Sequence, residues 1–249
     1  MPAKIAVVIP ARFASTRFPG KPLFKLAGKP MIQHVWERSS RATGVERVIV
    51  ATEDARIAEA CAGFGAECVM TSEGCRSGTD RVAEVAKKKL KGFTHVINVQ
   101  GDEPLVDPGT VAKLARGLAN DGGVRMITSA SVFEPGDDVQ NPNAVKVVMD
   151  RAGDALYFSR SPLPYVRNET PKLRFFRHQG IYGYTMELLF QFVKWKPTLL
   201  ELAESLEQLR ALENGVKIRV VEVKHVSLGV DTPADAKLVA PMLEALLKR

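Results

Sequence analysis

Arg12, Arg17 and Lys21 fall within ten residues of AVVIPARFASTRFPGKPL (6–23), a stretch without a single acid. An apolar run stops at Pro10, and small residues, prolines and Gly20 surround the cations. The glycine spacing of a dinucleotide fingerprint and of a P-loop is missing. A loop of small residues still lets backbone N–H groups approach phosphate oxygens. Two Arg forks and a Lys then neutralise a polyphosphate. Three cations at the carboxyl end of a strand, without counter-charge, favour phosphate binding over a basic surface turn.

Four further stretches carry candidate chemistry. In HVINVQGDEPLV (95–106) an apolar strand runs into Gln100, Gly101, Asp102 and Glu103. Gly101 permits close approach of backbone or ligand. A carboxylate such as Asp102 beside a triphosphate is a common Mg²⁺ ligand. The competing reading is that Asp102 or Glu103 caps a turn. In LGVDTPADA (228–236), Asp231 or Thr232 before Pro233 reads as an ordinary helix start. Asp231 gains a functional reading if the chain returns it beside Asp102. In CRSGTDRVAE (75–84), Ser77, Gly78 and Thr79 either cap a helix or contact a base or ribose, and Arg81 faces solvent or a phosphate. In RHQGIYGY (177–184), His178 and two Tyr on a Gly-punctuated strand suit a sugar site or a structural His equally.

The elements that must position these residues alternate. Strand-like runs at 4–9, 47–52, 67–71, 95–100 and 126–131 are separated by helical stretches at 31–42, 54–65, 80–91 and 108–121. That rhythm argues for βαβ units and a mainly parallel α/β sheet. The strands are near-continuous apolar runs, as expected when helices cover both faces. In an open sheet of this kind ligands sit outside the carboxyl ends of the strands, where the basic loop and Asp102 fall. Asp107 and Pro108 form a helix start. From about residue 140 the rhythm changes. Two strands joined by an Ala-Gly-Asp turn, a loop at 161–174, a strand at 179–185, two helices (the second stopped by Gly215) and a strand at 217–224 precede a closing helix. The expectation is one domain over 1–249 with a mixed αβ excursion at roughly 140–205.

The composition, 45% hydrophobic and 25% charged, is that of an ordinary globular domain. No run approaches the about 20 apolar residues of a membrane span. The N-terminal segment goes directly into a strand pattern without a signal-peptide core, so a cytoplasmic protein is expected. The net charge of +7 is spread along the chain, and the dense run AKKKLKG (86–92) reads as a solvated helix end. That favours anionic small substrates over nucleic acid. Cys61, Cys68 and Cys75 are odd in number and lack zinc-ligand spacing, which reads as reduced thiols.

Seven segments, IPARFASTRFPGKPL, NVQGDEPLV, NPNAVKVVMD, ALYFSRSPLP, RHQGIYGY, LEQLRALENG and GVDTP, together resemble the 3-deoxy-manno-octulosonate (Kdo) cytidylyltransferases. They occur in the family's order and cover nearly the whole chain. The opening motif alone is shared loosely with other sugar nucleotidyltransferases, including those for sialic acids. The resemblance implies a Rossmann-like nucleotidyltransferase sheet, an excursion used for homodimer contact, and CMP transfer from CTP to Kdo for lipopolysaccharide biosynthesis. It implies that Arg12, Arg17 and Lys21 hold the triphosphate, with Lys21 nearest the reacting phosphate. Asp102 and Asp231 would bind Mg²⁺, and two metal ions would activate the sugar hydroxyl. Ser77 and Arg81 match nucleotide-side positions, and Gln100 lies between nucleotide and sugar. Arg160, His178, Tyr182, Glu207 and Gln208 match sugar-side positions, with Arg160 the partner of the sugar carboxylate. The chain departs from the family pattern at Phe13, Phe18 and Gln179. Gln179 replaces an aliphatic residue beside the sugar-side His, which keeps an 8-amino octulosonate in view. A sialic-acid enzyme, a non-catalytic nucleotide-binding module and a nucleic-acid binder are the alternatives.

Overall fold

A computed structural model describes residues 2–168 and 170–247. The chain opens with β1 (Ile5–Ala11), a single 3-10 turn (Lys21–Leu23) and a small hairpin of β2 (Lys25–Leu26) and β3 (Lys29–Pro30). Helices and strands then alternate: α1 (Met31–Ser39), β4 (Arg47–Thr52), α2 (Ala55–Gly63), β5 (Glu67–Met70), α3 (Gly78–Lys89), β6 (His95–Asn98), α4 (Pro108–Asn120) and β7 (Met126–Val132). The second half comprises β8 (Lys146–Met149), β9 (Ala155–Ser159), β10 (Phe176–Thr185), α5 (Met186–Phe192), α6 (Leu199–Glu204), α7 (Leu209–Glu213), β11 (Ile218–Glu222) and α8 (Pro233–Leu247).

The main sheet has the order β11-β7-β10-β6-β1-β4-β5. β1 is parallel to both neighbours, β4 is parallel to β5, and β7 is parallel to β11. β10 runs antiparallel to β6 and to β7, so the other six strands of this path share one direction. The expected parallel α/β sheet is therefore present, but the excursion is not set to one side of it. Its longest strand occupies the middle of the sheet, and β8 and β9 branch from that strand's start.

β1 shows why its sequence is apolar throughout. Ala6 and Val8 face one core with Val82 and Val85 of α3 and Leu188 and Phe192 of α5. Ile5, Val7 and Ile9 face the other with Ile32 of α1, Ile57 of α2 and Leu114 of α4. Helices on both faces leave no solvated side for polar residues. A third, smaller cluster packs α8 through Ala236, Val239 and Leu243 onto Leu26, Met31, Leu105 and Val230.

The single helix expected through 202–215 is two short ones. Ser205 adopts a left-handed φ of 51° and ends α6. The carboxylate of Glu204, just before it, accepts from Ser159 Oγ at 2.6 Å and Arg160 N at 2.9 Å, so the chain turns to serve β9. Gly215 (φ 73°) follows α7, as its stop role requires.

Candidate active site

The basic loop leaves β1 and closes on itself. Gly20 N donates to Phe13 O at 2.9 Å, and Gly20 takes a φ of 71° that a side chain would strain. The 3-10 turn that follows presents Lys21 inward, with 13% of its side chain exposed. Lys21 Nζ donates to Asp102 Oδ2 at 2.6 Å, Asp231 Oδ1 at 3.1 Å and Val230 O at 3.0 Å. Arg17 reaches the other oxygen of Asp231 at 3.1 Å, and Arg12 donates to Cys75 O at 3.0 Å. The loop that lacks counter-charge in sequence thus receives it from two remote segments. Burial alone lowers the Lys21 pKa, but the two carboxylates outweigh it and raise the net value, so the ammonium stays charged.

Two backbone contacts bring those carboxylates together. Gly101 passes so close to β1 that a Cβ there would lie 2.6 Å from Pro10 O. Val230 N donates to Asp102 O at 2.8 Å and clamps the returning chain against the end of β6. Asp231 is free to face Lys21 because it does not cap α8. Thr232 and Asp235 form that helix start reciprocally, Thr232 N donating to Asp235 Oδ2 at 2.8 Å and Asp235 N to Thr232 Oγ1 at 3.3 Å.

Two cavities meet at this point. One of about 300 Å³ is lined by Arg12, Arg17, Lys21, Gly78, Gln100 and Asp102. The other, about 830 Å³, is lined by Glu103, Arg160, His178, Gln179, Tyr182 and Gln208. Arg17 and Asp231 border both. Gln100 stands in the wall between them, its Nε2 at 3.4 Å from Gly180 O, and Gly180 itself lines the larger cavity.

A register shift in β10 between Gln179 and Tyr182 shapes the larger cavity. Thr128 Oγ1 has two carbonyls, Ile181 O at 2.7 Å and Gln179 O at 3.2 Å, that can only accept its one hydrogen, and it sits 3.0 Å from His178 Nε2. It therefore accepts from Nε2–H, which fixes the tautomer and leaves Nδ1 as an acceptor. Burial pushes the His178 pKa down to about 3, so the ring is neutral. Its edge packs on Phe158 with centroids 4.9 Å apart, and Tyr182 lies 5.4 Å away on the same wall. Gln208 is buried and its Nε2 has no hydrogen-bond partner among the described residues. Such an orphaned donor is costly unless a ligand or water meets it.

A family model described as Cytidylyltransferase matches residues 6–218. A 3-deoxy-manno-octulosonate cytidylyltransferase of Geobacter sulfurreducens is 51% identical, over 96% of this chain and 99% of its own. This chain belongs to the 3-deoxy-manno-octulosonate cytidylyltransferase family. A Myxococcus xanthus member is 50% identical over 97% of both chains. A solved CMP:2-keto-3-deoxy-manno-octonic acid synthetase, complexed with CTP, superposes with a TM-score of 0.93 at 43% identity, over 98% of this chain and 100% of that one. A Leptospira borgpetersenii cytidylyltransferase shares the fold at 17% identity and a TM-score of 0.65.

In this cytidylyltransferase three expected site residues stand elsewhere than the two main cavities. Arg81 faces neither solvent nor a phosphate position. It is 1% exposed, lies 2.7 Å from Glu53 Oε2 and donates to Thr71 Oγ1. Glu53 in turn accepts from Phe13 N at 3.3 Å, so Arg81 braces the basic loop through Glu53. Ser77 caps α3. Its Oγ accepts from Asp80 N at 3.1 Å, while its own N donates to Asp80 Oδ2 at 3.2 Å. The neighbouring Gly78, not Ser77, lines the smaller cavity. Glu207 does not join His178 and Tyr182. Its Oε2 accepts from Thr79 Oγ1 at 2.5 Å, and it lines a third recess with Ser77 and Arg210. Burial raises its pKa.

Two features of the cytidylyltransferase site went unread in the sequence. Glu103 lines the larger cavity beside Asp102, and burial, then the Asp102 charge, push its pKa up to about 7. The GDEP motif holds the signal, but the turn-cap reading masked it. Thr128, buried on β7, fixes His178, and nothing in MITSAS marks one residue above its neighbours.

Proposed function

We propose that this chain transfers CMP from CTP to Kdo, releasing pyrophosphate and forming CMP-Kdo for lipopolysaccharide biosynthesis. One observation carries this reading. A cation-binding carboxylate pair, Asp102 and Asp231, sits where a polyphosphate-sized cavity with three cations opens into a larger polar cavity.

CTP occupies the smaller cavity, with its triphosphate against Arg12, Arg17 and Lys21. Gln100 and Gly78 face its nucleoside end, Ser77 supports that end through the α3 cap, and Arg81 braces the triphosphate loop through Glu53. Kdo occupies the larger cavity. The Arg160 guanidinium has five donors, of which three serve backbone carbonyls, leaving two for the sugar carboxylate. His178 Nδ1 accepts from a sugar hydroxyl, and Tyr182 and the free Gln208 amide complete the polar wall. Glu207 acts behind it, on α3. The C2 hydroxyl oxygen attacks the α-phosphorus, the bond to the pyrophosphate oxygen breaks, and the hydroxyl proton leaves to solvent. Lys21 stabilises charge that builds on the departing pyrophosphate.

Asp102 and Asp231 fit Mg²⁺. Their oxygens already converge on one cation, the Lys21 ammonium, and two carboxylates with phosphate oxygens and water are the donors this metal takes. When bound with the triphosphate, Mg²⁺ supplies charge neutralisation and acidifies the attacking hydroxyl. We read the protein as a cytoplasmic homodimer without nucleic-acid or membrane partners. Among the described residues no helix is long and apolar enough to cross a membrane. Leu156, Leu199 and Leu202 of the excursion region expose apolar side chains that suit a second copy.

The test is pyrophosphate release from CTP and Mg²⁺ with Kdo, 8-amino-Kdo and a sialic acid offered separately. Release with Kdo alone is expected. Release only with the amino sugar would reassign the sugar and implicate Gln179, a buried cavity residue whose Nε2 donates to His225 O at 2.5 Å. Release with none would leave a nucleotide-binding module.

A further inference from the structure

Lys146 on β8 is completely buried; no carboxylate of the described residues lies within 4.0 Å of its ammonium, and Asp138 and Glu204 act on it only as longer-range charges. A buried charge without a direct ion-pair partner is expensive, and an apolar side chain of similar length would fill the same space without that cost. What Lys146 does have is two backbone acceptors. Its Nζ donates to Arg160 O at 2.5 Å and to Asn141 O at 3.0 Å. Those two carbonyls belong to two separate segments of the chain, and both Asn141 and Arg160 line the larger cavity.

Arg160 is tied at its backbone N–H and at part of its guanidinium as well. Its N donates to Glu204 Oε2 at 2.9 Å, its Nε to Glu204 O at 2.6 Å, and its Nη1 to Pro142 O at 3.0 Å. Lys146 and Arg160 thus lace the 141–142 loop, the end of β9 and the 204–205 turn together, and Lys146 is the only one of the two that does not reach the cavity surface. We propose that Lys146 is a positioning residue for the acidic sugar, which it serves by fixing the backbone from which Arg160 reaches into the cavity. This rests on the reading of the larger cavity as the Kdo site.

The test compares steady-state kinetics of the full-length Lys146→Met, Arg160→Ala and double variants, with CTP and Kdo varied separately. Lys146→Met is expected to raise KM for Kdo about 10-fold, the size of a lost charge-assisted hydrogen bond, and to leave KM for CTP within about twofold. The double variant is expected to be no worse than Arg160→Ala, because Lys146 acts through Arg160. An unchanged KM for Kdo in Lys146→Met, beside a raised one in Arg160→Ala, would overturn the positioning role and spare the cavity reading. Multiplicative effects in the double variant, or equal rises in both KM values, would also overturn it. An unchanged KM for Kdo in Arg160→Ala would overturn cavity reading and positioning role together. Should Lys146→Met fail to fold, Lys146→Gln, which keeps a donor, carries the same comparisons with a smaller rise.

Discussion

The ammonium of Lys21 and the carboxylate of Asp102 lie 2.6 Å apart although 81 residues separate them in sequence. The same ammonium bonds Asp231, 210 residues away. The basic loop, the end of β6 and the start of α8 are therefore joined at one cation.

Lys21→Met removes that cation and leaves two carboxylates facing each other. Its kcat should fall by about 100-fold or more, the loss typical of a preorganised transition-state donor, and its thermal midpoint without CTP should fall as well. Asp102→Asn should abolish turnover with Mg²⁺ while its circular dichroism stays that of the parent. Full activity in Asp102→Asn would remove Asp102 from the metal site.

Gly101→Ala tests the approach of β1 to the end of β6. The added methyl would stand 2.6 Å from Pro10 O, a backbone atom that can move only if β1 moves. The expected cost is about 1–3 kcal/mol, read by urea denaturation. The shift should also carry Asp102 away from Lys21, so activity should fall more than stability alone explains. Unchanged stability would mean that the two strands separate freely at this point.

His178 ties stability to pH. Its folded pKa, about 3, lies below the unfolded value of 6.5, so between those limits the unfolded chain binds the extra proton. Stability should fall as pH drops below 6.5, by up to about 1.4 kcal/mol per pH unit from this one residue. His178→Asn keeps a polar side chain without the titration, and its unfolding free energy should lose about one proton's worth of slope over that window. An unaltered slope would mean that the ring is solvated enough to protonate in place.

Much of the fold is legible in the sequence because burial on both faces makes β1 and the middle of β4 apolar runs, and because Asp107 with Pro108 marks a helix start plainly. The position of β10 is not. Periodicity marks QGIYGYT as a strand but says nothing of its direction or neighbours. The helix break at Ser205 escaped because the left-handed turn sits on a residue with no conformational signature of its own. In the site, the cations read as chemistry from type and spacing, whereas Asp102 competes with a turn cap and Asp231 with an ordinary helix start, and their meeting at Lys21 depends on the contacts of Gly101 and Val230, which no local pattern records. Arg81 and Glu207 stand outside both main cavities for a related reason. Each is a charged residue in a promising motif, and each is consumed by a partner far away in sequence, Glu53 for one and Thr79 for the other.

The central, reversed β10 also sets an order of events for a chain emerging from the ribosome. The four strands β5, β4, β1 and β6 can associate as soon as β6 is complete, but the open side of β6 then presents unpaired N–H and C=O groups until residues 176–185 arrive. β7, made earlier than β10, has no neighbour to join in the meantime. Closure of the sheet waits on pairings of long sequence separation, which are slow to form and leave an adhesive edge exposed while they do. The strand that bears His178 and Tyr182 is thus also the last piece through which the two halves of the sheet become one, so the walls of the larger cavity exist only once the whole sheet does.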